Sequence, residues 1–289
     1  MKIAFVSHIE PPQKIKNFYW SGWRTAFAGH EVQYLPHGKA SLEFADGKFD
    51  LCVVAPGFFK MSLDCYKSKS KTKYVFVSDE DLHAAVEHLR CAADYYDHVF
   101  LTSEVNVEAL HRLGAHNVSQ ILSCVDTEVY TCNEIQQPFQ VSFLGNSDTD
   151  FLIQGSTRRQ YLTEIDAFFK ARALIGHGFF AGAANDVYNR SVLSLDLPIA
   201  TAIGPRAFQI GASQSVLLIP ENPRYSKLWF KNFSAGHHYL EFSGGISGLI
   251  DVASKADPDE LKKISASMRE TLKQHTFEKR FNQMLEVIF

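Results

Sequence analysis

The chain has 289 residues, of which 46% are hydrophobic and 21% charged, so it can bury one large core or two of ordinary size. This composition excludes a protein that is disordered throughout, and a formal net charge of −3 argues against a general polyanion binder. No apolar run approaches the roughly 18 residues that span a bilayer, and no signal-peptide pattern opens the sequence, so we expect a cytoplasmic protein without a membrane span.

The first half alternates short β-branched and aromatic runs with helical patterns, which predicts parallel strands joined by crossover helices. Strands are predicted at 2–7, 31–35, 50–55, 74–78, 98–102 and about 118–123. Helices are predicted at 17–28, 80–93 and 104–113. The polar, proline-ended segment 131–138 has no clear periodicity and indicates a linker.

The same alternation restarts after the linker. Strands are predicted at 139–144, 172–176, 191–195 and 215–219, and helices near 156–171, 185–190, 204–213, 258–274 and 276–288. The sequence therefore predicts an α/β protein with two Rossmann-like domains facing a cleft. We place the first domain at 1–135, the second at 136–275, and a C-terminal helix at 276–289, which can pack back across the domain junction.

Metal-binding spacing is missing among the histidines and cysteines. The twelve histidines form no H-x-x-x-H or H-E-x-x-H pattern, and the five cysteines form no C-x-x-C pair. An odd number of cysteines without such pairs indicates reduced thiols rather than a disulfide framework. We therefore expect no metal site.

Two segments of the second half have features of a phosphate site. Gly145 and Asn146 follow the strand at 139–144, where a turn frees backbone N–H groups, and the neighbouring pair Arg158 and Arg159 lies downstream. Arg206 opens the helix at 204–213, and a helix N-terminus combined with a guanidinium group suits a diphosphate. Each segment can also be an ordinary strand-turn or helix start that binds no ligand.

The order of these segments resembles the spore-maturation-protein-like branch of the GT-B glycosyltransferases. That branch has a strand ending in F-x-G, a later arginine, then Y-N-x-S-x-x-x-L-N, R-x-F-E and a terminal H-T-Y-x-x-R. The corresponding residues here are Phe143 to Gly145, Arg158 or Arg159, Tyr188 to Ser191, Arg206 to Gln209, and His275 to Arg280.

The resemblance implies a GT-B fold and transfer of a hexosyl or pentosyl group from UDP or another nucleoside diphosphate to a hydroxyl, without a further cofactor. It also implies retention of anomeric configuration and metal independence, with Arg206 stabilising the leaving diphosphate. The donor-binding residues it implies are Gly145, Asn146, Arg158, Arg159, Tyr188, Asn189, Arg206, Phe208 and Gln209. Gln209 departs from the family, whose glutamate binds the donor ribose.

The acceptor is expected on the first domain. Asp79 and His83 follow the strand at 74–78, and either can deprotonate an acceptor hydroxyl, although acidic residues there can also cap the next helix. His8 ends the first strand and is a weaker candidate for acceptor binding.

Cations and aromatic rings alternate near the start of the chain at Lys14, Trp20 and Trp23, and Lys69 and Lys71 lie in a run of alternate lysines at 67–73. Residues 1–75 carry eleven Lys or Arg against six Asp or Glu, a net of +5, whereas residues 76–135 carry two against eleven, a net of −9. One interpretation is that the aromatic side chains pack inward and the lysines lie in a solvated loop. The other is that these residues bind an anionic acceptor. That acceptor is a glycan or, as for viral base-modifying enzymes, DNA.

A non-enzymatic reading also stays open. Two Rossmann-like domains without the ribose carboxylate can act as a nucleotide-binding scaffold. The sequence does not define the oligomeric state.

Overall fold

The computed structural model describes residues 1–7, 18–55, 66–78, 86–147, 152–179, 181–198 and 201–289, without the side chains of 18–21 and 86–88. The chain divides into two compact units. Unit 1 contains Met1–Ser123 and Phe277–Phe289, and unit 2 contains Cys124–Thr276. No helix in the described ranges is long and apolar enough to cross a membrane.

Unit 1 is built on a six-stranded sheet in the order β2-β1-β3-β4-β5-β6, and each pairing is parallel. Its strands are β1 (Lys2–Ser7), β2 (Glu31–Pro36), β3 (Leu51–Val54), β4 (Lys73–Ser78), β5 (His98–Leu101) and β6 (Val118–Gln120). Its first four described helices are α1 (Phe18–Ala26), α2 (Lys39–Ala45), α3 (Val86–Tyr95) and α4 (Glu104–Arg112). The central strands are continuous apolar runs because both faces of a parallel sheet are covered.

Unit 2 contains a five-stranded sheet in the order β10-β7-β11-β12-β13, again parallel at each pairing. The strands of unit 2 are β7 (Phe139–Leu144), the hairpin pair β8 (Leu152–Ile153) and β9 (Ser156–Thr157), β10 (Ala173–Gly176), β11 (Ser191–Leu195), β12 (Val216–Pro220) and β13 (Leu240–Phe242). Its helices are α5 (Arg158–Phe169), α6 (Gly182–Asn189), α7 (Pro205–Ala212), α8 (Lys227–Asn232), α9 (Gly245–Lys255) and α10 (Pro258–Leu272), with a 3-10 turn at Lys170–Arg172.

These two parallel sheets with crossover helices confirm the predicted α/β class. The sequence patterns did not indicate α2, α8, α9, β13 or the hairpin of β8 and β9. All of these except α9 have seven residues or fewer, and α9 begins at a glycine and contains Gly248, so their periodicity is too short or too interrupted to recognise.

The linker residues before β7 belong to unit 2 rather than to the first domain, so the division falls after Ser123 instead of residue 135. Backbone N–H groups of Thr131, Asn133 and Ile135 donate to side chains on or beside α6 and α7. These hydrogen bonds hold the segment against unit 2, which a polar sequence without periodicity does not reveal.

The C-terminal helix α11 (Phe277–Ile288) belongs to unit 1, where it packs against α1. Phe281 meets Phe27 edge-on at 4.9 Å between ring centroids, and Phe277 meets Trp23 at 5.6 Å. A Cβ atom on Gly22 would lie 2.1 Å from the Phe277 ring, so the glycine permits this close helix contact.

The cysteines differ in part from the expectation of reduced thiols. Cys52, Cys124 and Cys132 are not disulfide-bonded, but Cys91 is. Disulfide formation depends on the spatial separation of the two Cα atoms, which the spacing of cysteines along this sequence does not indicate.

We predict that Phe281→Ala lowers the stability of unit 1 by about 3–5 kcal/mol, because it removes a fully buried ring from the α1–α11 contact. Hydrogen exchange of backbone amides should show faster exchange in α1, whereas peptides from β7 to α10 should keep their protection. Phe289→Ala is the control, since that ring is 71% exposed and should change little. Equal exchange in α1 for both variants would contradict the assignment of α11 to unit 1.

Candidate functional site

The strand order of unit 2 defines where a ligand is expected. Starting from β7, the chain adds β10 on one side and then β11, β12 and β13 on the other. Ligands of open parallel sheets bind beside the carboxyl ends of the strands where this order reverses. In unit 2 that point lies between β7 and β11, which lead into Gly145 and Asp196.

Arg206 lies at this point because it is the second residue of α7. Gly204 precedes the helix and Pro205 is its first residue, and no side chain caps this end. Backbone N–H groups at an uncapped helix start carry partial positive charge and suit an anion. The guanidinium forms an ion pair with Asp196 at 2.8 Å between Nη1 and Oδ1, and its carbon lies 4.9 Å from the centre of the Phe143 ring.

Gly145 faces the same guanidinium. Its φ of 155° disfavours other residues, and a Cβ atom there would lie 2.6 Å from Arg206 Nη2. The glycine therefore lets the arginine lie directly over the turn that follows β7.

Arg158 connects the two strand ends. Its side chain is 5% exposed; Nη1 donates to the carbonyl of Asn146 at 2.9 Å and Nη2 donates to the carbonyl of Leu197. Burial, and secondarily the charge of Arg206, lower the pKa of Arg158 to about 10, so the side chain still carries its charge at neutral pH. Among the described residues, its buried Nε has no hydrogen-bond partner. Two buried or half-buried cations and one carboxylate thus meet beside the turn, which favours an anionic ligand.

The predicted role of Arg158 needs correction in one respect. Its two terminal nitrogens are bonded to main-chain carbonyls, so it holds the loops after β7 and β11 together rather than projecting freely toward a ligand. Arg159, the next residue of α5, is exposed, and so is Asn146.

Asn189 and Phe208, both predicted to bind the donor, are structural. The Asn189 amide donates to the carbonyls of Thr131 and Asn185 and accepts from the N–H groups of Asn133 and Gln214, so its hydrogen-bonding capacity is filled. Phe208 is fully buried, with aromatic neighbours at centroid distances of about 6 Å: Trp229, Phe233 and His275. Sequence motifs do not separate such packing residues from ligand contacts.

Tyr188 and Gln209 remain near the candidate site. Tyr188 is buried, which raises its pKa, and it interacts electrostatically with Arg206 and Asp196. Gln209 lies three residues after Arg206 and so shares its side of α7. Gln209 is 7% exposed.

Asp196 is the residue that the sequence analysis did not select. It directly follows β11 and is 4% exposed, and its backbone N–H continues the sheet pattern by donating to Leu218. A carboxylate between a buried strand and Leu197–Pro198 is the signal that identifies it, because buried carboxylates are rare unless paired.

The predicted acceptor residues are only partly described. His8, Lys14, Asp79 and His83 lie outside the described residues, and Trp20 lies in α1 with its side chain outside the description. Trp23 is 2% exposed between β1 and α11, so its predicted contact with an acceptor is wrong; inward packing, the alternative reading, is correct.

The predicted acceptor contacts of Lys69 and Lys71 stay a prediction. Both side chains are exposed, but their loop immediately precedes β4 and therefore lies at the amino edge of the sheet in unit 1. The carboxyl edge, where ligands of parallel sheets bind, is the length of β4 away, about 20 Å.

Carboxylate pairs with D-x-D spacing occur at 79–81, 148–150 and 257–259. The first two lie outside the described residues. In the third, Asp257 caps α10 by accepting from the N–H of Asp259. Within the described ranges, no three His, Cys, Asp or Glu side chains are grouped as metal ligands.

The structure is a two-unit α/β protein whose second unit brings Arg158, Asp196 and Arg206 together at the reversal of strand order. Residues 141–286 match a family model described as glycosyl transferase-like, which is just over half of the 289-residue chain. The chain belongs to this glycosyl transferase-like family. No curated protein matches it in sequence.

Solved structures with similar folds include glycosyltransferases of the GT-B type. HepE of Anabaena, solved with UDP-glucose, has a TM-score of 0.67 at 10% identity, covering 99% of each chain. A sucrose-phosphate synthase from Thermosynechococcus elongatus has a TM-score of 0.66 at 10% identity, covering 99% of this chain and 98% of that one.

TarM has a TM-score of 0.57 at 9% identity over 82% of this chain, which spans about half (54%) of the length of TarM. At these identities the likeness shows the fold alone.

We predict that Gly145→Ala displaces the Arg206 guanidinium from Asp196 and weakens binding of a nucleoside diphosphate. The control is Gly114→Ala in unit 1, where φ is also positive (89°) but nothing lies within 4 Å of the added Cβ. Both variants should lose about 1–2 kcal/mol of stability through backbone strain. Only Gly145→Ala should weaken UDP binding in calorimetry; equal UDP affinity in the two variants would show that Gly145 is not beside the ligand.

Proposed function

We propose that this protein transfers a sugar from a nucleoside diphosphate sugar to a hydroxyl acceptor, and that unit 2 binds the donor. The observation that carries the proposal is Arg206, held by Asp196 at the start of α7 and directly over Gly145. This arrangement lies at the reversal of strand order in a chain of the glycosyl transferase-like family.

Breaking the bond between a sugar and a nucleoside diphosphate leaves additional negative charge on the diphosphate. In our proposal Arg206 and the backbone N–H groups at the start of α7 stabilise that charge in the transition state. Asp196 orients the guanidinium and leaves its second nitrogen, Nη2, directed at the turn of Gly145. Arg158 adds positive potential from behind the two loops that it joins.

The proposed donor is a UDP-sugar in the first instance, because HepE has been solved with UDP and with UDP-glucose. The transferred group is a hexosyl or pentosyl group, and a screen of UDP-hexoses and UDP-pentoses distinguishes the two. We assign Gln209 to the donor ribose, since it lies three residues after Arg206 on the same side of α7. A neutral amide replaces the charge-assisted hydrogen bonds of a carboxylate by weaker ones.

The spore-maturation-protein-like branch, retention of configuration and metal independence also belong to the proposal. Retention rests on the family resemblance alone. Metal independence rests on the two arginines, which supply the positive charge that a divalent ion otherwise provides at a diphosphate.

The acceptor is proposed to bind at the carboxyl edge of the sheet in unit 1. Asp79 and His83 follow β4 in sequence, and we assign one of them as the general base for the acceptor hydroxyl. A glycan is the favoured acceptor. Two observations argue against DNA as the acceptor. Trp23 is buried, and Lys69 and Lys71 lie at the opposite edge of the sheet.

We predict that Arg206→Ala lowers kcat/KM by an amount equivalent to about 2–4 kcal/mol of transition-state stabilisation. That is the cost of removing one strong donor to developing negative charge. Arg206→Lys should recover little, because an ammonium does not reproduce the guanidinium fork. Arg190→Ala is the matched control, since Arg190 is exposed at the amino end of β11. Release of UDP from UDP-sugars is the measurement. Wild-type kcat/KM in Arg206→Ala would exclude Arg206 from the site, and nucleotide binding without turnover in the wild-type protein would favour a scaffold.

We predict that turnover survives EDTA. Loss of activity in chelator, restored by Mg²⁺ or Mn²⁺, would contradict metal independence. In that case the D-x-D pair Asp148 and Asp150, which follows the β7 turn in sequence, would be the first ligands to test by substitution with Asn.

A further inference from the structure

Four lysines and one phenylalanine of unit 1 form an exposed basic patch that the proposed reaction does not use. The residues of this basic patch are Phe44, Lys48, Lys67, Lys69 and Lys71. Within the described part of the chain, none of the four ammonium groups forms an ion pair with a carboxylate. Nearby Glu43 pairs with Lys39 instead, and Asp50 accepts a hydrogen bond from the N–H of Lys2.

Asp46 joins the two segments of the basic patch. Its carboxylate accepts hydrogen bonds from Tyr66 Oη at 2.8 Å, Ser68 Oγ at 3.0 Å, the Lys69 N–H at 2.9 Å, and Ser70 Oγ. Burial alone would raise the pKa of Asp46, but these hydrogen bonds outweigh it and hold the pKa at about 2. The single carboxylate within the patch is therefore satisfied by the loop itself.

The loop is also fixed to the end of α2. Thr72 Oγ1 accepts from the N–H of Gly47 at 2.9 Å and donates to the carbonyl of Phe49 at 2.7 Å. Lys67, Lys69 and Lys71 consequently project from an ordered loop, so binding through them orders little backbone.

Phe44 gives the basic patch an apolar component. The ring is 41% exposed, and the Lys48 Nζ lies 3.6 Å from its centre. An exposed aromatic ring among lysines suits the boundary between lipid headgroups and acyl chains, where the ring is buried and the ammonium groups meet phosphates.

We propose that the basic patch docks unit 1 on an anionic phospholipid surface. Clusters of four or more basic residues bind anionic bilayers, each lysine contributing comparably to the affinity. Nucleic acid fits less well, because each cation of the patch is a lysine without the paired donors that read or clamp nucleic acid. The patch also occupies the amino edge of the sheet, where a bound DNA acceptor would be about 20 Å from the carboxyl edge.

The test is co-sedimentation of the full chain with vesicles of phosphatidylcholine alone, or of phosphatidylcholine with about one-third phosphatidylglycerol. A variant with Lys48, Lys67, Lys69 and Lys71 replaced by Ser should bind the anionic vesicles roughly 100-fold or more weakly, because it loses four phosphate-binding charges. The control replaces Lys231, Lys255, Lys262 and Lys263 of unit 2 by Ser, which changes the net charge equally. It should retain binding within a few-fold. Circular dichroism and thermal unfolding confirm that both variants fold.

The variant Phe44→Ser distinguishes docking on a bilayer from binding to other polyanions. It should weaken binding to the anionic vesicles several-fold and leave retention of duplex DNA at the same salt unchanged. The proposal is overturned by equal binding to neutral and anionic vesicles, by equal losses in the patch and control variants, or by unchanged vesicle binding in Phe44→Ser. Tighter binding to duplex DNA than to anionic vesicles also overturns it.

Discussion

The ion pair between Arg206 and Asp196 holds the candidate donor site together, because it connects the start of α7 to the end of β11. If the arginine side chain were free to move, binding a ligand would cost the conformational entropy of fixing it in one position. Paired with a carboxylate that is 4% exposed, it is held in place before a ligand arrives. A side chain at position 145 would collide with the guanidinium in this position, and the Phe143 ring lies beneath the guanidinium. The chemistry proposed for the site therefore rests on one geometric arrangement.

Arg158 stabilises the loops of the same site from the interior of unit 2. A buried guanidinium costs free energy unless its donors are satisfied, and here the carbonyls after β7 and β11 satisfy two of them. No carboxylate of the described residues forms an ion pair with this charge, so an anion at the neighbouring turn would lower the cost of burying it. Deleting Arg158 would consequently disturb both loops, and its effect on activity would not measure a ligand contact.

Sequence patterns predicted the α/β class and the segment around Gly145 and Arg206, because strand periodicity, a glycine turn and a helix start are local properties. They did not identify Asp196, whose role arises from the pairing of β11 with β7 and from the position of α7. They also assigned Asn189, Phe208 and Trp23 to ligands, whereas these side chains fill hydrogen-bonding or packing positions of the interior. A motif records which residue types recur, but burial decides which of them a ligand can reach.

The central claim is that Arg206 and the start of α7 recognise the diphosphate of a nucleotide sugar. Calorimetric titration of the wild-type protein and Arg206→Ala with uridine, UMP and UDP, in EDTA, tests it directly. The account predicts that affinity rises with each added phosphate in the wild-type protein and that most of this rise disappears in Arg206→Ala, while uridine binding is unchanged. An equal gain from the phosphates in both proteins would contradict it.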